Sequence, residues 1–213
     1  MKSGASLGLW LGLVSASAGA WSAARPQPEA AQPDAPLEYV SLEALADDPQ
    51  AWLGQRVRVR FQLESHLETW NPYLTRFGGE DWRGVSVWAD EQFLWEREAW
   101  ENPAARIFAR RGSVADGVLE GAPRLARFEA VAHVRQVFAG APWLEVREVQ
   151  RIDGAIGEGS VLHATRALEH VERAQWRNAI DNFDRALVGD MPPAARTELR
   201  RLRDQAQEQV QQL

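Results

Sequence analysis

Cysteine is absent from all 213 residues. Disulfides, thiolate metal sites and a cysteine nucleophile are thereby excluded. Lysine is nearly absent as well: of 24 basic residues only Lys2 is a lysine, and the rest are arginine. Against them stand 30 acids, for a formal net charge of −6. A nonspecific nucleic-acid binder needs positive charge to displace counterions, so nucleic acid is not the expected partner. Long apolar runs are missing too. Leu7 to Val14 is far shorter than the roughly 20 residues a spanning helix needs, and nothing later is longer.

Several chemical signatures are also lacking. There is no G-x-S-x-G elbow, no phosphate-cradling glycine loop and no H-E-x-x-H. His163 and His170 stand seven apart on one expected helix, but only Glu169 and Glu172 accompany them, which does not make a zinc set. His66 and His133 fall in or beside expected strands and read as structural. Asp47-Asp48 and Glu80-Asp81 are adjacent acids in turns, not carboxylates set across a cleft. The expectation is a non-enzymatic protein with no cofactor and no metal.

What is present begins with MKSGASLGLWLGLVSASAGA. A positive Lys2, a short apolar run and the small residues Ala18-Gly19-Ala20 read as a secretory signal over residues 1–20. Its removal takes Lys2 away and leaves 23 arginines against 30 acids, a net charge of −7. No cysteine follows it, so a lipid anchor at a processed cysteine is excluded. The expected location is the periplasm or the exterior, with no membrane span once the signal is gone. Residues 21–37, WSAARPQPEAAQPDAPL, hold four prolines and many alanines, and read as a flexible linker.

The folded part opens with a short helix capped by Ser41. QRVRVRFQLE, residues 55–64, then alternates without a break: Val57, Val59, Phe61 and Leu63 on one side, Arg56, Arg58, Arg60 and Gln62 on the other. Period two marks a half-buried strand. GVSVWA (84–89) and RIFAR (106–110) are the next strands, with a short helix or ordered loop at 90–100 between them. Ser113 to Gly121 is a short helix between an N-cap serine and a closing glycine. Residues 124–138 and 143–152 form a final pair, with a break in alternation at Arg147-Glu148 that predicts a bulge.

Three strands, a helix and a two-strand hairpin resemble the oligonucleotide/oligosaccharide-binding (OB) fold, a five-stranded barrel with a helix between its third and fourth strands. The resemblance covers residues 41–152 and also rests on the opening WLGQRVRVRFQ. It implies a fold that is mainly β with α: an OB-like barrel over 38–153, carrying a helical tail.

Five of the 10 tryptophans fall between residues 70 and 100. Most read as core and loop anchors, since large aromatics dominate small cores. The group Trp70, Tyr73, Arg76, Phe77 and Trp82 lies in an irregular connection, where binding groups tend to sit. With Arg56, Arg58 and Arg60 it forms the candidate site for a glycan or a single nucleic-acid strand, and stacking would require exposed rings. The competing reading of the arginine row is a solvated strand face paired with Glu145 or Glu148.

Residues 158–213 form the tail. Leu162, Thr165, Ala167, Leu168 and Val171 make one helical stripe; Trp176, Ala179, Ile180, Phe183, Ala186 and Leu187 make a second. The order Ala167, Ala179, Phe183, Ala186 resembles one tetratricopeptide repeat, although its early W-x-x-L-G part is absent. Met191-Pro192-Pro193 ends the pair, and Thr197 to Leu213 reads as a polar cap helix. The resemblance implies a partner surface, with His163, Arg166, His170 and Trp176 as candidate contacts for a protein or a second copy. As two separable units, barrel and tail would part company on Phe183→Ala, which would unfold the tail alone.

Overall fold

Ser41 accepts a hydrogen bond from the Ala44 backbone N–H, and on that cap stands α1 (Leu42–Asp47). The computed structural model describes residues 37–68 and 76–212; the expected signal and most of the linker, with Trp70 and Tyr73, lie outside them. Residues 36–213 form one compact unit.

The strands are β1 (Arg56–Leu67), β2 (Trp82–Ala89), β3 (Ala105–Arg110), β4 (Arg127–Phe138) and β5 (Ala141–Arg151). They close into a barrel in the order β1-β2-β3-β5-β4, with β4 returning to β1. All pairings are antiparallel except β3 with β5. α2 (Arg97–Glu101) interrupts the β2–β3 connection, and α3 (Val114–Glu120) joins β3 to β4. This is the closed five-stranded barrel with α-helices that the strand pattern predicts. The helix at 90–100 is shorter than expected: Trp95 lies in a turn before α2, and Trp100 lies on it.

Alternation explains the closure. Val57, Val59, Phe61 and Leu63 of β1 all point inward and are essentially unexposed. Val85, Val87, Ile107, Phe128, Val134, Leu144 and Val146 meet them from the other strands. Leu42 and Leu45 of α1, with Ala115 and Leu119 of α3, complete that core. Arg83 of β2 fixes α3, pairing with Asp116 and with Glu120 at 2.6 Å. The predicted bulge is present: Val131 faces Glu148 and Ala132 faces Val146, which leaves Arg147 as the extra residue.

The tail is α4 (Glu158–Glu172), α5 (Trp176–Val188) and α6 (Pro193–Gln211). Ala164, Ala167, Ala179, Phe183, Ala186 and Leu199 are wholly buried. Arg196 of α6 donates to the Leu187 and Gly189 carbonyls (3.0 and 2.8 Å), closing the end of α5. Leu162 departs from its expected inward stripe and is 49% exposed, because Val161 and Ala164 take the buried face of α4. No helix among the described residues is long and apolar enough to cross a membrane.

The tail core is continuous with the outside of the barrel. Trp88 points outward from β2, yet it is fully buried in one cluster with Leu94, Trp95, Leu125, Ile156, Val161 and Phe183. The connecting segment is pinned as well. Ile156 N–H donates to Gln62 Oε1 (3.4 Å), and Arg127 Nη1 donates to the Asp153 carbonyl (2.6 Å). Gly154 has φ +79°, and an added Cβ would lie 3.0 Å from that guanidinium and 3.2 Å from the Met191 carbonyl. The positive φ and the tight surroundings both favour glycine there.

Candidate functional site

The first candidate is the arginine row on the outer face of β1. Arg60 reaches Glu129 of β4 at 2.8 Å, and Arg58 comes within 3.9 Å of the same carboxylate. The partner is Glu129 and not the expected Glu145 or Glu148, because β4, not β5, lies against β1. Glu145 instead pairs with Arg135 and with Arg147 at 2.8 Å. A hollow of about 310 Å³ beside Arg58 is lined by Glu129, Glu148 and Gln150, so it carries more acid than base. Arg56 is exposed and faces His133 across the ladder. The Arg60 guanidinium also lies 5.1 Å from the centre of the Tyr39 ring, whose hydroxyl donates to Glu91. Burial, followed by that hydrogen bond, holds the Tyr39 phenol above its ordinary range.

The second candidate is the aromatic group. Phe77 lies flat on Phe108 of β3, with ring centres 4.2 Å apart and planes 3° apart. Trp82 meets Phe77 edge-on at 4.9 Å, and Trp143 of β5 leans on Phe108 at 5.1 Å. Phe138 caps Trp143 at 5.4 Å. Phe77 and Phe108 have no exposed surface, and Trp143 keeps 6%. These rings satisfy one another as a satellite core on the outside of the barrel. Phe77 therefore does not offer the open ring that stacking requires; Trp82 is half-buried and Arg76 exposed. The pattern hid this because Phe77 and its seat at Phe108 are far apart in the chain.

A third region emerges only in three dimensions. Trp100 stacks on Trp88 at 4.9 Å, and the Trp88 indole N–H donates to the Trp100 carbonyl (3.3 Å). Arg124 lies over both rings, 4.3 Å from the centre of Trp100 and 5.1 Å from that of Trp88. Beside this stack opens a groove of about 680 Å³ between α2 and α4. Its floor is apolar: Leu94, Trp100, Val161 and the half-exposed Leu162. Glu96, Arg97, Arg124 and Glu158 bring the charges. A polar hollow of about 450 Å³ on the other side of Trp100 and Arg124 holds Glu64, Ser86, Glu101 and Arg106. Sequence reasoning missed the groove because its walls come from residues 94–100 and 158–165. The apolar Leu162, one helical turn from Glu158 and one from Arg166, was the available signal.

The tail residues chosen from sequence divide in two. His163 Nδ1 lies 3.2 Å from Asn182 Oδ1 of α5, and His170 Nδ1 lies 2.7 Å from Gln175 Oε1, the residue before α5. Both histidines thus tie α4 to the next helix. Trp176 is half-buried against the tail core. Arg166 is exposed, one turn beyond Leu162 on α4. Among the described residues, no three His, Asp or Glu side chains come together as a metal-ligating group.

The deepest charges lie elsewhere. Arg127 grips Asp90 with two bonds of 2.6 Å, each side chain 8% exposed. The hydrogen bond to Asp90 outweighs burial and holds the guanidinium above its ordinary value. For Asp116, burial pushes the carboxyl up, but the Gly112 N–H and Arg83 together hold it below the usual range. Both pairs are structural clamps. Compared with protein-family models the chain matches none, and no curated protein matches it.

Proposed function

We propose that this protein is an exported, non-enzymatic adaptor of the cell envelope that holds a protein partner where its helical tail meets its barrel. The observation that carries this reading is the groove between α2 and α4, where the apolar Leu94, Trp100, Val161 and Leu162 line an open slot. An apolar slot rimmed by charge is suited to take a single anchoring side chain of a partner. The tail supports it. Ala167, Ala179, Phe183 and Ala186 pack in the order that resembles a tetratricopeptide unit, and such units present a partner surface. Export rests on residues 1–20, and the short apolar run there carries it.

The alternative, stacking of a glycan or nucleic-acid strand, draws less support. Phe77 is covered, and Arg58 and Arg60 share Glu129. The test is a crosslinked capture from envelope extract with the intact chain and with Leu162→Asp. A partner held by the first and lost by the second is expected. Equal capture by both, or none by either, overturns the proposal.

A further inference from the structure

We infer that the groove between α2 and α4 takes a cationic segment of its partner: a large apolar side chain flanked by Lys or Arg. This rests on the adaptor reading above and gives its partner a chemistry.

The inference comes from which charges around the groove are already spent. Four charged residues line it: Glu96, Arg97, Arg124 and Glu158. Arg97 is tied to Glu101 on its own helix at 2.8 Å. Arg124 lies over Trp100 and Trp88 and comes within 3.7 Å of Glu64. Both arginines therefore have anionic or aromatic partners. Glu96 and Glu158 are exposed and make no ion pair among the described residues. They stand on opposite walls, Glu96 as the residue before α2 and Glu158 as the first of α4. Between them lies the apolar floor. Of the four charges that line the groove, the two left unspent are thus both carboxylates.

An acidic segment entering here would meet those carboxylates and find the arginines occupied. A basic one would bury its apolar side chain on Trp100 and Leu162 and place its cations at the two walls. The α4 wall runs from Glu158 to Thr165, about 10 Å at the helical rise. That length matches about three extended residues or two helical turns. The net charge, −7 once residues 1–20 are removed, steers the same kind of partner at a distance.

The test uses the intact chain and three peptides of equal length, each with a central Leu. One flanks it with Arg, one with Glu and one with Ser. Binding is read by calorimetry and by tryptophan fluorescence, since Trp100 lines the groove. The Arg peptide is expected to bind most tightly and to weaken as salt rises. Glu96→Gln with Glu158→Gln should weaken it about five-fold, the scale of two exposed ion pairs. Glu43→Gln with Asp47→Asn, which removes two acids from α1, should leave it unchanged. Leu162→Ser should weaken all binding about five- to ten-fold.

Equal or tighter binding of the Glu peptide overturns the inference. So does indifference to the Glu96/Glu158 pair, equal loss from the α1 pair, or no binding of any peptide. If the envelope partner is lost with Leu162→Asp but binds the Glu96/Glu158 variant as tightly as the intact chain, the adaptor reading stands and the cationic chemistry falls. If that partner survives Leu162→Asp, both fall.

Discussion

Asp90→Ala removes the carboxylate that pairs with a buried arginine through two hydrogen bonds. Arg127 is 7% exposed, and two of its N–H groups end on Asp90. Another of its N–H groups donates to the Asp153 carbonyl and fixes the chain where it leaves β5 for the tail. Breaking a buried pair from one side costs about 3–5 kcal/mol, because the remaining charge stays desolvated. Domains of this size hold only about 5–15 kcal/mol in all. With a urea slope near 2 kcal/mol/M, the unfolding midpoint should fall by about 1.5–2.5 M. Circular dichroism against urea at room temperature measures it. Asp90→Leu with Arg127→Met supplies the control, since apolar replacement of both members removes the buried charge altogether. It should recover more than half of the loss, with about 1 kcal/mol still missing for the unpaired Asp153 carbonyl. A single variant costing less than about 1 kcal/mol, or a double variant no better than the single, would refute the reasoning.

Two further outcomes arise from the packing. Phe183→Ala should cost about 3–5 kcal/mol, and helix content and the fluorescence of buried tryptophans should be lost together, because Phe183 shares a cluster with Trp88 and Trp95. A helical loss that precedes the tryptophan change would favour the two-unit expectation instead. His133 is held below its ordinary value by burial, then by Arg135 and Arg147, with Glu145 opposing and Arg56 adding. The folded protein therefore binds fewer protons at this site than the unfolded chain. Its contribution is complete above about pH 6.5 and is lost as pH falls below that. His133→Gln should flatten the stability profile across the acidic side of neutrality, and an unchanged slope would count against this.

The barrel was legible because its information is local. Four inward positions on β1, a serine cap and closing glycine around α3, and a break in alternation at Arg147 each mark their own element. Pairing partners were not legible. Nothing near Arg60 says that β4 will bring Glu129 beside it. Gln62 and Trp88 sit on outward positions yet are 1% and 0% exposed, because residues outside their own strands cover them, Ile156 at Gln62 and Trp100 with Arg124 at Trp88. The candidate groove failed to show for the same reason. Alternation reports which side a residue faces, not what lies on that side.

The burial of Trp95, whose carbonyl accepts from Thr165 of α4, also bears on the order in which the chain can complete itself. The barrel closes when β4 and β5 arrive, but Leu94, Trp95 and Leu125 then still await α4 to α6. A tryptophan and its apolar neighbours left open expose a few hundred Å² at the least, roughly the scale at which proteins begin to adhere to one another. During synthesis from the N-terminus, this surface stays uncovered until the last segment emerges. A chain cut after Asp153 would keep it uncovered permanently. Such a fragment would collect bystanders through its bare flank, whereas a single change at Leu162 alters the groove and leaves that flank sealed.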